Sequence, residues 1–274
     1  MSPPNALRLR PLEIGDLLDE TFRMYRRHFL LFAGISAILA IPSAASSGFN
    51  YFAVFGSIFQ PAQQLDTTTY LASQVAQIAA GVINLALLPF GFGAVVYAAC
   101  ESALGRPVTP GGIFGAVGRR YLPLLGFFLL IVVMGAVFCL IPLWIWIWVS
   151  WVAVVPAMFV ENIGLGTALG RSWNLVRGRW WRTFLILLLI FVLSVVVRWA
   201  LIAFAAVPLA LLSIFMSSYI LLALTGAIAV VVDALVNPVL QITIVLVYFD
   251  LRVRREALDL FQMAYRLAAQ PASS

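Results

Sequence analysis

Between Thr183 and Phe249 the chain carries only two charged side chains, Arg198 and Asp233, and between Tyr121 and Val160 it carries none. Each run exceeds the ~20 apolar residues with which a helix crosses a bilayer. The rest of the composition agrees, with 63% of residues hydrophobic and 10% charged, against roughly 25% charged in a soluble domain. A water-soluble fold of 274 residues could not hide so much apolar surface. The expected fold class is all-α, a polytopic membrane protein.

Proline and glycine breaks divide the apolar runs into six spans, at 28–50, 72–99, 122–141, 143–160, 183–206 and 220–249. Every basic residue is an arginine, which reads as a coding bias. The arginines cluster before span one, after span two, after span four and after span six, and are missing from the other connections. All of them except Arg198 therefore fall on one side, as the positive-inside rule demands. Both termini are expected to be cytoplasmic. The chain reads as a single integral membrane domain over 1–274, with an amphipathic helix at 1–27, a bundle at 28–249 and a cytoplasmic helix and tail at 250–274. Acidic residues ahead of the first run argue against a cleaved signal peptide. Cys100 and Cys139 should lie near opposite membrane faces, too far apart for a disulfide.

The stretch RSWNLVRGRWWRTF, residues 171–184, packs arginine and tryptophan together. At 100° per residue Leu165, Leu169, Trp173, Val176 and Trp180 share one helical face, while Arg171, Asn174 and Arg177 point elsewhere. Such a helix suits the membrane interface, with indoles in the apolar layer and guanidiniums among headgroups. Near the N-terminus Ile14, Leu18, Phe22, Tyr25 and Phe29 form a similar stripe opposite Arg23, Arg26 and Arg27. Before span three, Thr109 and Pro110 read as an N-cap and first helical position, with Ile113, Phe114, Val117 and Tyr121 on one face. Three units follow from this, each an interfacial helix leading into a two-span hairpin. Their unequal spacing makes the repeat a weak one.

The segments LRPLEIGDLLDETFRMYRRHF, VVPAMFVEN with ALGRSWNLVRGRWWRTF, and VYFDLRVRREALDL resemble the membrane domain found beside some bacterial glycerophosphoryl diester phosphodiesterases and its stand-alone relatives. The resemblance implies a six-span bacterial inner-membrane domain. The soluble barrel of those enzymes, roughly 250 residues, has no room here, so it does not carry the activity over.

Chemistry has few footholds. Arg198 and Asp233 lie at matched depth, about 25 Å from the arginine side at ~1.5 Å per residue, which permits an ion pair between spans five and six. Charges placed so deep are structural bridges or functional groups. Glu101, Glu161, Asp250 and Arg252 could form a charge network at the cytoplasmic level that clamps the interfacial helices. The alternative is a headgroup pocket. The single histidine, His28, has no metal-site or catalytic motif around it. No enzymatic activity and no cofactor or metal is expected, and the division of the arginines among loops excludes nucleic acid.

The expected function is that of a non-enzymatic inner-membrane scaffold or accessory protein. Arg171, Trp173, Arg177, Arg179, Trp180, Trp181 and Arg182, with Arg26 and Arg27, would bind anionic lipid headgroups. Another membrane protein or a second copy is a further expected partner. The rival is a small transporter or permease subunit working through Arg198 and Asp233, with spans broken at Pro89 and Pro238.

Overall fold

The computed structural model describes residues 13–38, 41, 67–135, 141–212 and 218–256. Among them the chain is all-helical, without strands. The helices are α1 (Ile14–Arg27), α2 (Phe29–Ile38), α3 (Thr67–Ala103), α4 (Pro110–Arg119), α5 (Tyr121–Gly135), α6 (Ile141–Ser150), α7 (Val154–Val160), α8 (Leu165–Val176), α9 (Trp180–Leu212) and α10 (Ser218–Glu256). Among the described residues four stretches are long and apolar enough to cross a membrane: Gly81–Ala103, Pro142–Val160, Trp180–Leu209 and Leu224–Glu256. The count is up to five if α4 and α5, which meet at a 66° bend, form one span. Of the first expected span only α2 and residue 41 are described, and Cys139 lies outside the described residues.

The chain divides into two compact units, one of residues 1–28, 92–191 and 239–274, the other of 29–91 and 192–238. Three helices change unit partway along. Pro89 and Pro238 were expected to break their spans, yet α3 and α10 continue through both. A helix interior tolerates proline in an apolar setting when neighbouring groups satisfy the freed carbonyl. Pro238 is the last residue of its unit.

In the first unit the amphipathic helices form, and their packed faces coincide with the expected ones only in part, at Ile113, Val117 and Val176. Helix α1 buries Leu17, Thr21 and Met24, whereas Ile14, Leu18, Phe22 and Tyr25 are half-buried and Phe29 is exposed. Thr21, outside the expected stripe, lies on the packed face. Its hydroxyl donates to the Leu17 carbonyl at 2.8 Å and lies 3.3 Å from the Thr243 hydroxyl of α10. A threonine bonded in this way leaves no unsatisfied group and packs through its methyl. Helix α4 keeps its expected cap, with the Thr109 hydroxyl accepting from the Gly112 amide at 3.3 Å and Pro110 at the first position. It buries Ile113, Ala116 and Val117 and leaves Phe114 exposed.

Helix α8 buries Ala168, Ser172, Leu175 and Val176, so Leu165, Leu169 and Trp173 flank the packed face instead of forming it. The reason is again a hydroxyl. The fourth expected span is interrupted by a turn at residues 151–153, which removes backbone groups from the helical ladder. The fully buried Ser172 fills the gap, donating to the Ser150 carbonyl at 2.8 Å and accepting from the Ala153 amide at 3.1 Å. The stretch RSWNLVRGRWWRTF is divided between two helices, α8 ending at Val176 and α9 starting at Trp180, so Trp180 does not continue the expected face. Gly178 takes φ +86° between α8 and α9, a left-handed conformation that costs other residues ~1–2 kcal/mol. The segment after Phe249, expected to continue as a helix, prolongs α10 to Glu256, and residues 257–274 lie outside the described residues.

Replacing Leu17, which has no exposed surface, by alanine should therefore cost about 2–5 kcal/mol. Leu18→Ala should cost less than half as much. Denaturant titration of both variants in detergent micelles checks the register, and equal losses would place the packed face elsewhere.

Candidate functional site

Two ionic clusters of the first unit join α8 and α9 to the last turns of α10. In the first, Arg171 of α8 donates from Nε to both carboxylate oxygens of Glu161 at 2.9 Å and from its terminal nitrogen to Glu256. Arg252 holds the other Glu256 oxygen at 2.9 Å and stands 3.9 Å from Glu161. The Tyr248 hydroxyl donates to Glu161 at 2.9 Å and accepts from Arg252 at 3.3 Å. Two guanidiniums, two carboxylates and a phenol thus satisfy one another. Desolvation opposes the Arg171 charge, but its hydrogen bonds to Glu256 and Glu161 outweigh this and raise its pKa further.

In the second cluster the Asp250 side chain, 1% exposed, pairs with Arg182 of α9. It also accepts from Arg254 Nε at 2.9 and 3.0 Å. Asp250 is thus a buried carboxylate held by two guanidiniums. The expected network of Glu101, Glu161, Asp250 and Arg252 therefore divides. Glu161 and Arg252 stand together, Asp250 belongs to the second cluster, and Glu101 pairs with Arg106 at 3.3 Å. Tyr248 was missed, and Glu256 was read only as one of the charged group around Asp250, not as a partner of Arg171. The signal for Glu256 was present, since Arg252 and Glu256, like Asp250 and Arg254, stand four residues apart on one helix. Nothing local marked Tyr248, because its partner Glu161 is remote in sequence.

The arginines expected to face headgroups fall into two kinds. Arg171 and Arg182 are committed to internal carboxylates. The guanidiniums of Arg177, Arg179 and Arg26 have no carboxylate partner among the described residues, and Arg177, Arg26 and Arg27 are exposed. The Arg177 carbonyl accepts from Arg255 at 2.8 Å, closing the end of α8. The tryptophans divide in the same way. Trp173 packs edge-on against Trp146 with ring centroids 4.7 Å apart. Trp180 donates to the Trp146 carbonyl at 3.2 Å and stacks on Phe184. Trp181 is 72% exposed. Elsewhere in this unit Arg120 donates to the Ile163 carbonyl at 2.6 Å and to the Asn162 side chain, tying the α4–α5 bend to the entry of α8.

Two further places bear on function. In the first unit an apolar cavity of about 90 Å³ is lined by Phe127, Phe128, Trp144, Trp148 and Trp151 among others. In the second unit the expected pair forms, with Arg198 3.1 Å from Asp233 and 2.9 Å from the Asn237 side-chain oxygen. No group of metal-ligating side chains occurs among the described residues. Burial and the adjacent Arg27 charge hold the His28 imidazole below its ordinary value. The chain matches no protein-family model, no curated protein and no solved structure.

Within one short motif, then, the arginines should differ in their effect on stability. Arg182→Gln removes one of two partners from a buried carboxylate and should cost about 1–3 kcal/mol, whereas Arg177→Gln or Arg179→Gln should stay within ~0.5 kcal/mol. Parallel denaturation curves decide this, and three equal losses would contradict the division.

Proposed function

We propose that the chain is a non-enzymatic scaffold or accessory protein of the bacterial inner membrane, with six spans and both termini cytoplasmic. Its exposed arginines hold anionic lipid headgroups at the cytoplasmic leaflet. One observation carries this reading. Arg177 and Arg179 stand without carboxylate partners beside the exposed Trp181, while their neighbours Arg171 and Arg182 are paired internally. A guanidinium next to an exposed indole at the start of a long apolar helix meets both layers of a membrane interface at once. Anionic leaflets attract such side chains by about 1 kcal/mol each. Arg26, in the last turn of α1, adds charge of the same kind, and the exposed Arg27 adds positive charge beside it. The sequence distribution of arginine supports the orientation, and the resemblance to the phosphodiesterase-associated membrane domain supports the bacterial assignment.

The reading places the lipid contact on the unpaired arginines alone. Native mass spectrometry of the detergent-extracted protein is the test, with phosphatidylglycerol and cardiolipin as probes. The Arg177→Gln/Arg179→Gln variant should retain at least about tenfold less anionic lipid than the wild type. Arg171→Gln should lower stability and leave lipid retention as it was. Retention that is unchanged in the double variant, or equal for zwitterionic lipid, overturns the proposal.

A further inference from the structure

The second unit holds its one described ion pair in an unusual position. Arg198 and Asp233 lie within α9 and α10, inside the stretches Trp180–Leu209 and Leu224–Glu256 that are long and apolar enough to cross a membrane. Neither residue is near a helix end. After Arg198, α9 runs on without charge from Trp199 to Leu212, roughly 20 Å at ~1.5 Å per residue. Counted from Arg182 the pair lies about 25 Å into a core of about 30 Å, inside the apolar stretches, where a charge without partners is unfavourable.

Yet the described residues leave the pair partly uncovered. The side chains of Arg198 and Asp233 are 38% and 44% exposed, although they touch each other. Asn237, which accepts from Arg198, is exposed as well. Around them the surface is apolar and open: Val196, Trp199 and Val231 are all more than half exposed. A patch of this kind, polar at its centre and apolar at its rim, is what helix association in a membrane uses, because interhelical hydrogen bonds and packing drive it.

Charge decides what covers it. The patch carries one cation and one anion 3.1 Å apart, so it has no net charge with which to select an anionic lipid. It is self-complementary instead. A second copy related by a twofold axis sets each guanidinium against the other's carboxylate, the isologous arrangement of a symmetric dimer. We infer that two copies of this chain associate through the α9 and α10 surface around Arg198 and Asp233, each pair sharing its hydrogen bonds with the other. The contact is separate from the arginines assigned to headgroups, so either proposal can fail alone.

Energy transfer between donor- and acceptor-labelled full-length copies in phosphatidylcholine vesicles tests the dimer without anionic lipid. Transfer in the wild type should rise with protein density above the random-proximity level. Arg198→Gln and Asp233→Asn should each weaken association at least tenfold. The exchange variant Arg198→Asp/Asp233→Arg should restore it, because the swapped patch still complements itself. Val231→Trp leaves the pair intact and blocks the contact by bulk, so it should weaken association even if a charge variant fails to fold. Transfer at the random level in the wild type overturns the inference. So does unaltered transfer in Val231→Trp, or failure of a folded exchange variant to associate.

Discussion

Every polar group that leaves the helical ladder of this chain has little water to turn to, and its partner must come from the chain itself. The turn at residues 151–153 shows the constraint at work. It frees the Ser150 carbonyl and the Ala153 amide in the middle of an apolar stretch, and Ser172 of α8 takes up both. That one hydroxyl fixes the rotation of α8, because it must face the turn. The rotation in turn sets Arg171, one residue earlier, toward Glu161 and Glu256. The α8 end of the charge cluster is thus a consequence of a backbone hydrogen-bond requirement two helices away. An unpaired backbone group in such surroundings costs several kcal/mol, more than the gain from any single surface ion pair.

The same rule explains which parts of the fold were legible in sequence and which were not. Helix existence and length were, since runs without charge have few other solutions in a bilayer. The expected spans at 72–99, 183–206 and 220–249 correspond to α3, α9 and α10, each extended by several residues at one or both ends. Facing was less legible. Hydropathy treats Thr21 and Ser172 as polar and turns the stripe away from them, yet both lie at the centre of a packed face. A hydroxyl that donates to a carbonyl one turn back, or to a broken turn nearby, is chemically satisfied and counts as core. Periodicity alone does not contain that information, because it depends on an acceptor supplied by another segment or by the helix's own backbone.

Charge was legible in sign and position, but not in pairing. The arginine distribution pointed to an interface and could not divide RGRWWR into committed and uncommitted members. The division follows from remote carboxylates. Arg182 meets Asp250, which lies far along the chain on α10, and Arg171 meets Glu161 and Glu256 from opposite directions in sequence. Gly178 makes it possible, for its left-handed φ of 86° ends α8 and starts α9 in a new direction. Without that break the periodic face of a continuous helix would have set Trp173 and Trp180 on one line. Instead both indoles meet Trp146 of α6, one through its ring and one through a hydrogen bond to the backbone.

The two kinds of arginine carry opposite demands, and a single motif can meet both only if its residues differ in what surrounds them. A guanidinium that holds a buried carboxylate such as Asp250 has its hydrogen-bond donors occupied and its charge balanced. It therefore offers little to a phosphate. A guanidinium without a carboxylate keeps a planar fork of donors that matches phosphate geometry and retains its full charge for the leaflet. Arg198 is an intermediate case. It is paired with Asp233 and bonded to Asn237, yet more than a third of its side chain remains exposed in an apolar region. A charge balanced in this way does not seek an anion, but its open donors still require acceptors. An identical patch on a second chain supplies acceptors of matching geometry without adding net charge. In this protein, then, the environment of each guanidinium, rather than the number of arginines, determines whether its charge is balanced within the fold or its donors are left to spare.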